Sequence, residues 1–156
     1  MKKFSLYAEE NEVNIVMIKG IINRLKKSIS RMNPLRYAKM QGVQIGERTK
    51  LIDNPNWGSE PYLISIGDDC LISGGVTFTT HDMSVRVFNN LQPGLNVRKY
   101  GRIRIGNNCF IGMKSMILPN VTIGDNCVVA AGAVVTRNIP DNEVWGRLSE
   151  NSNNLT

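Results

Sequence analysis

The sequence predicts an all-β fold: a parallel β-coil with three short strands per turn, a short N-terminal helix, and one excursion from the coil at about residues 84–104. Two observations predict it, a six-residue aliphatic repeat and a single long break in that repeat. From Ile105 the chain divides into IGNNCF, IGMKSM, ILPNVT, IGDNCV, VAAGAV and VTRNIP. Each unit opens on an aliphatic residue: Ile105, Ile111, Ile117, Ile123, Val129 or Val135. Four places on comes a small or branched residue: Cys109, Ser115, Val121, Cys127, Ala133 or Ile139. A period of six is neither helical nor a simple alternation, so one helix or flat hairpin would scatter these side chains over several faces. Three units per turn gather them inside a prism, with Gly, Asn or Asp turning the corners. Stacked turns then pair as parallel strands about 4.8 Å apart.

The elements follow in order. Residues 1–41 form a helical appendage, with Ile18, Ile22, Leu25, Ile29 and Met32 at three-and-four spacing and Lys19, Arg24, Lys26, Lys27 and Arg31 around them. Pro34 is expected to end this helix. The helix either caps the open end of the coil, or packs between subunits, or rests its basic face on an anionic membrane. The cap is preferred, because a terminal coil exposes unpaired backbone. The coil domain spans residues 42–142, with earlier units opening at Ile45, Ile66, Ile72 and Phe78. The phase from Ile66 predicts a unit near Ser84, but the pattern resumes only at Ile105, so Ser84 to Arg104 leaves the coil. Residues 143–156 form a C-terminal tail.

Composition bounds the rest. A chain of 156 residues with 42% hydrophobic content holds one core, not two ordinary domains. No run of about 18 apolar residues is present, and Glu9, Glu10 and Glu12 interrupt any signal-peptide core, so a cytoplasmic location is expected. The net charge of +6 suits nucleic acid, an anionic membrane or an anionic small molecule. Few aromatics and no zinc-finger, RNP or basic-zipper pattern speak against nucleic acid. Cys70, Cys109 and Cys127 all fall at the small inward place, where a thiol acts as a compact hydrophobe. No CxxC pair and one histidine leave no ligand set for zinc, and no metal is expected.

His81 is the only histidine, at the fourth place of FTTHDM, away from the inward positions and just before the break. A long loop beside a lone imidazole reads as an active-site wall. Counting units from Ile45 puts Trp57 one coil below Phe78 and Glu60 at the place of His81, about one strand spacing beneath it. Glu60 is then the candidate to orient the imidazole and stabilise its protonated form, with a solvated turn carboxylate beside Pro61 as the plain alternative. Asp82 is the rival orienter, ranked second because neighbours on an extended chain point to opposite faces.

The runs IGDDCLISGGVTFTTHD and IGNNCFIGMKSMILPNVTIGDNCVVAAGAVVTRNIPDN resemble the left-handed β-helix acyltransferases, the hexapeptide-repeat family that acetylates sugars, serine and some antibiotics. WGSEPYLISIGDDC with the downstream THD resembles its bacterial cell-surface polysaccharide O-acetyltransferase branch. The resemblance implies a left-handed coil, a homotrimer, and acetyl-CoA as acyl donor in the groove between subunits. It implies His81 as general base for direct attack of an acceptor hydroxyl, with O-acetylation of a sugar or glycan precursor preferred over N-acylation of a nucleotide-linked amino sugar. No acyl-enzyme is needed, since a thioester is already activated and no GxSxG nucleophile is present. The positions matching the family's coenzyme contacts are Gly112, Ala131, Thr136 and Arg137, which also fit plain repeat consensus. The tail EVWGRLSENSNNLT departs from the family's ending, and Trp145 or Arg147 is the candidate to replace its contacts. A carbonic anhydrase needs more histidines, and an ice-binding coil would continue Thr77, Thr79 and Thr80 onto later turns. A non-catalytic coil that binds a partner stays open.

Overall fold

The computed structural model describes residues 17–25, 28, 33–92 and 94–146. Within them the chain forms a left-handed parallel β-helix with three faces. The first face stacks β1 (Gln44–Ile45), β3 (Ile64–Ile66), β8 (Ile103–Ile105) and β11 (Thr122–Ile123). The second stacks β2 (Lys50–Leu51), β4 (Leu71–Ile72), β9 (Phe110–Ile111), β12 (Val128–Val129) and β14 (Val144–Trp145). The third stacks β5 (Thr77–Phe78), β10 (Met116–Ile117) and β13 (Val134–Val135), with Asn56 bridging to Thr77 below.

Inward aliphatics make the core. Ile72, Ile111, Ile117, Val129 and Val135 have no exposed surface, and Cys70, Cys109, Cys127, Val121 and Ala133 fill the small inward place beside them. The two polar residues at that place are satisfied. The Thr49 hydroxyl donates to the Gly67 carbonyl and accepts from the Cys70 amide, and Ser115 donates to the Gly112 carbonyl. The three thiols are unbridged, and each donates to a carbonyl of the next turn: Cys70 to Gly106, Cys109 to Gly124, Cys127 to Pro140. Burial pushes the Cys127 thiol up, which suits a packing role rather than a nucleophile.

One corner explains the recurring Ile-Gly-Asx pattern. The side-chain oxygens of Asp68, Asn107, Asp125 and Asp141 each accept the backbone amide of the turn below, from Glu47, Asp68, Asn107 and Asp125. Asn108 donates to Asn126 and Asn126 to Asn142, a second amide ladder alongside. These three asparagines sit at positive φ, where Asn is tolerated better than most residues.

Register shows where the coil is irregular. Partners are 18 residues apart between Ile105 and Ile123, but 39 apart between Ile66 and Ile105, leaving 21 for the excursion. The turn below is also long, with 21 residues from Ile45 to Ile66, and the additional three coincide with the 3₁₀ turn Pro61–Leu63. The excursion is not structureless: it holds α3 (Val85–Leu91), and β7 (Lys99–Tyr100) pairs antiparallel with β6 (His81–Asp82). It rejoins the coil at Ile103, fully buried, two residues ahead of the predicted Ile105.

At the N-terminus, α1 (residues 17–25) keeps Met17, Ile18, Ile21, Ile22 and Leu25 exposed. Ile29 and Met32 lie outside the described residues. Pro34 opens a helix, α2 (Pro34–Met40), where the Asn33 side chain accepts the Arg36 amide and proline occupies the first turn; the end of the preceding helix lies outside the described residues. Proline lacks the amide that this turn leaves unpaired, which is why it starts helices well. Ala38 of α2 is fully buried and Tyr37 packs on the core, so α2, not α1, covers the first coil. Among the described residues no helix is long and apolar enough to cross a membrane.

Ile111→Ala is expected to cost about 2–5 kcal/mol by chemical denaturation, since it opens a cavity in the column. Thr122→Ala, at an exposed strand position, should cost under about 1 kcal/mol.

Candidate active site

The site sits at the corner between the third and first faces, where both irregular turns lie one above the other. Gly58 carries φ +68°, and a side chain there would come within 2.9 Å of the Phe78 carbonyl. Its absence lets the Ser59–Glu60 corner press against the turn above. Trp57 then stacks on Phe78 with ring centroids 5.0 Å apart, which fixes the register of the two turns.

That register brings Glu60 to His81. The Glu60 Oε2 lies 3.1 Å from His81 Nδ1 and accepts a 2.7 Å hydrogen bond from the Thr80 hydroxyl, while Ser59 Oγ is 3.0 Å from the same ring nitrogen. The Glu60 side chain is 15% exposed and that of His81 30%. Burial opposes the Glu60 charge, but hydrogen bonds from Thr80, His81 and Ser59 and the attraction of His81 outweigh it, so the carboxyl is held below its ordinary value. An ionised carboxylate only accepts, so the ring hydrogen belongs on Nδ1 and the Nε2 lone pair is left for a ligand.

Asp82 faces the other way, as the extended backbone requires. It accepts from the Ser84 amide at 2.9 Å and from Lys99 Nζ at 2.9 Å. Hydrogen bonds from Ser84 and Lys99 hold its carboxyl well below the usual carboxylate range. Its task is to tie β6 to β7 and close the excursion.

Two hollows meet at His81. A cavity of about 360 Å³ lies under the excursion, lined by Ser59, Glu60, His81 and Asp82 from the coil and by Arg86, Arg98 and Tyr100 among others from the excursion. A second hollow of about 380 Å³ opens along the coil, between Thr79, His81, Asp82, Met83, Leu118 and Pro119. Thr136 and Arg137 follow Val135 as Thr79 and Thr80 follow Phe78, so they stand on the same corner two turns further along. Arg137 lies over the Trp145 ring, 4.9 Å from its centroid. Gly112 and Ala131 flank the opposite end of the third face, where a side chain on Gly112 would meet the Ala131 amide at 2.5 Å. Gly112 is therefore needed for stacking in any case, and Arg147 lies outside the described residues. Among the described residues no three of His, Cys, Asp and Glu converge as metal ligands.

This architecture agrees with the sequence families that the chain matches. Residues 102–137 match the bacterial transferase hexapeptide (six repeats), and residues 64–79 match the hexapeptide repeat of succinyl-transferase. Both models describe the six-residue repeat that builds the coil. A relative, protein CapG of Staphylococcus aureus, is 50% identical over 107 residues, which are 67% of this chain and 61% of that protein. The chain thus spans less than two thirds of that relative's length. A hexapeptide-repeat-containing acetyltransferase from Vibrio cholerae O1 biovar eltor, solved with acetyl coenzyme A, superposes with a TM-score of 0.55 at 29% identity, over 67% of this chain and 55% of that one. A maltose O-acetyltransferase from Clostridium difficile 630 shares the fold, with a TM-score of 0.52 at 22% identity over 78% and 79% of the two chains.

Thr80, Ser59 and Tyr100 take part in this hexapeptide site without a periodic signal. Thr80 is fully buried yet polar, and its hydroxyl serves Glu60. A threonine directly before the lone histidine was the available clue.

The Glu60 contacts carry a pH signature. Because its folded value is lowered, the stability they give is present above the ordinary value of 4.5 and is lost as pH falls through the folded value. A carbon-13 titration of the Glu60 carboxyl is expected to give a midpoint below 4.5, and Thr80→Val should raise it. A wild-type midpoint at or above 4.5 would contradict this hydrogen-bond arrangement.

Proposed function

We propose that the chain transfers an acetyl group from acetyl-CoA to a hydroxyl of a sugar or glycan precursor. The observation that carries this reading is a single imidazole, pinned at Nδ1 by Glu60, standing between two hollows. One hollow admits the acceptor and the other the thioester. The acceptor oxygen attacks the thioester carbonyl carbon while His81 Nε2 takes its proton; the C–S bond then breaks, and the imidazolium returns the proton to the departing thiolate. The products are an O-acetyl ester and free coenzyme A. Glu60 keeps the tautomer in place and stabilises the imidazolium, while Asp82 acts on the loop rather than on the ring.

The donor arm follows the coil corner from Thr79, Leu118 and Pro119 toward Thr136 and Arg137, whose guanidinium suits a phosphate. Gly112 packs against the Ala131 amide at the far end of the face, where small side chains keep the coil surface low beside the donor. The Vibrio cholerae protein, similar in fold and solved with acetyl coenzyme A, supports this choice of donor. The exposed Met113, Met116 and Val134 on the third face suit burial in a homotrimer, in which that face would be shared. Reduced, buried cysteines accord with a cytoplasmic enzyme.

His81→Ala should leave circular dichroism unchanged and cut acetyl-CoA turnover by about 10²- to 10⁴-fold, the usual contribution of a positioned base. Near-wild-type turnover sinks the assignment. In calorimetric titrations with acetyl-CoA, Ala131→Trp should obstruct binding. Arg137→Ala should weaken it by up to about 1.5–3 kcal/mol, less where solvent screens the contact. Light scattering should show a trimer, and an active monomer would refute the shared site.

A further inference from the structure

The cavity under the excursion holds more positive charge than the imidazole and its partners use. Of its three long cations, Lys99 is neutralised by Asp82 at 2.9 Å. Arg86, in the first turn of α3, and Arg98, just ahead of β7, line the same cavity. Among the described residues neither guanidinium has a carboxylate within ion-pair distance or a side-chain hydrogen bond. The other carboxylate of the cavity, Glu60, is occupied by Thr80 and His81. Two unpaired guanidiniums in one concave wall focus a positive field, and their planar forks match oxyacid groups. Beside them, Tyr100 lies directly across the β6–β7 pair from His81 and also lines the cavity. An aromatic ring with a polar tip offers the apolar face of a sugar ring a seat next to the imidazole.

We infer that the acceptor is an acidic saccharide, whose reacting hydroxyl meets His81 while an anionic oxygen group, carboxylate or phosphate, is held by Arg86 and Arg98. This rests on the acyl-transfer reading of His81 and adds the substrate class. The anion belongs to the acceptor rather than to coenzyme A, because the hollow assigned to the donor is lined by neither Arg86 nor Arg98.

The test compares twins that differ only in the anionic group: methyl glucoside with methyl glucuronide, and N-acetylglucosamine with its 1-phosphate. Dissociation constants from ligand-observed NMR at low salt should favour the anionic member of at least one pair by about tenfold or more, the worth of one charged hydrogen bond. The Arg86→Gln/Arg98→Gln double variant, checked by circular dichroism, should lose that preference. Each single variant should lose part of it, which serves if the double variant misfolds. Arg102→Gln, outside this cavity, should keep it while removing the same charge as either single variant. Acetyl-CoA affinity should be unchanged throughout. Equal binding of both members in both pairs, undetectable binding of all four included, overturns the inference. So does a preference that survives in the variants, or a roughly tenfold loss of acetyl-CoA affinity, which would assign the arginines to the donor. Failure of the acyl-transfer reading appears separately, as acetyl-CoA turnover that His81→Ala leaves intact.

Discussion

Inward stacking of equivalent aliphatic side chains at a fixed register holds this chain together, and the site inherits its geometry from that register. Ile66, Ile105 and Ile123 form one column, Ile72, Ile111 and Val129 a second, Phe78, Ile117 and Val135 a third. A residue's height and face in the coil follow from its distance to the nearest column member. Glu60 stands under His81 for that reason: each lies three residues beyond a stacked aromatic, Trp57 in one turn and Phe78 in the next. The ladders of Asp and Asn side chains at another corner keep the turns from slipping, since a change of register would strand their amide partners in the same stroke.

Departure from the repeat falls at one corner, and the candidate site lies there. The three-residue 3₁₀ turn after Glu60 and the longer excursion after His81 lie on successive turns of that corner. A regular coil presents short side chains and tight corners, which form no enclosed hollow. The excursion supplies a wall, closed by the His81–Asp82 pairing with Lys99–Tyr100 and by the Lys99–Asp82 ion pair. Below it, the rigid column sets the imidazole and its carboxylate. The coil thus supplies a floor set by register, and the excursion a wall built outside the repeat.

This division also explains what was legible in the sequence. The aliphatic columns, the inward cysteines, the break after His81 and the Glu60 placement all follow from counting in sixes. The interior of the excursion does not, because α3 and β7 belong to no repeat: α3 buries none of its residues, and its Val87, Phe88 and Leu91 are exposed. Arg86, Arg98 and Tyr100 were therefore invisible as site residues. Thr80 was hidden for a different reason, since a buried hydroxyl at a non-inward place is explained only by the carboxylate beneath it. The start of α2 at Pro34 was not foreseen because proline both stops and starts helices, and only the Asn33 cap reveals the start. The last turn is shorter than the repeat predicts: Ile139 pairs with Ile123 after 16 residues, so it begins a turn instead of only filling an inward place.

In the proposed reaction the coil places donor and acceptor on either side of one oriented imidazole. A crystal structure of the full chain with acetyl-CoA tests it most directly. The account predicts the acetyl carbonyl in the hollow bounded by Thr79, Leu118 and Pro119, close enough to the His81 Nε2 side for an acceptor hydroxyl to reach both at about 3–3.5 Å. An acetyl group bound away from His81, or an imidazole turned so that Nε2 rather than Nδ1 faces Glu60, would contradict it.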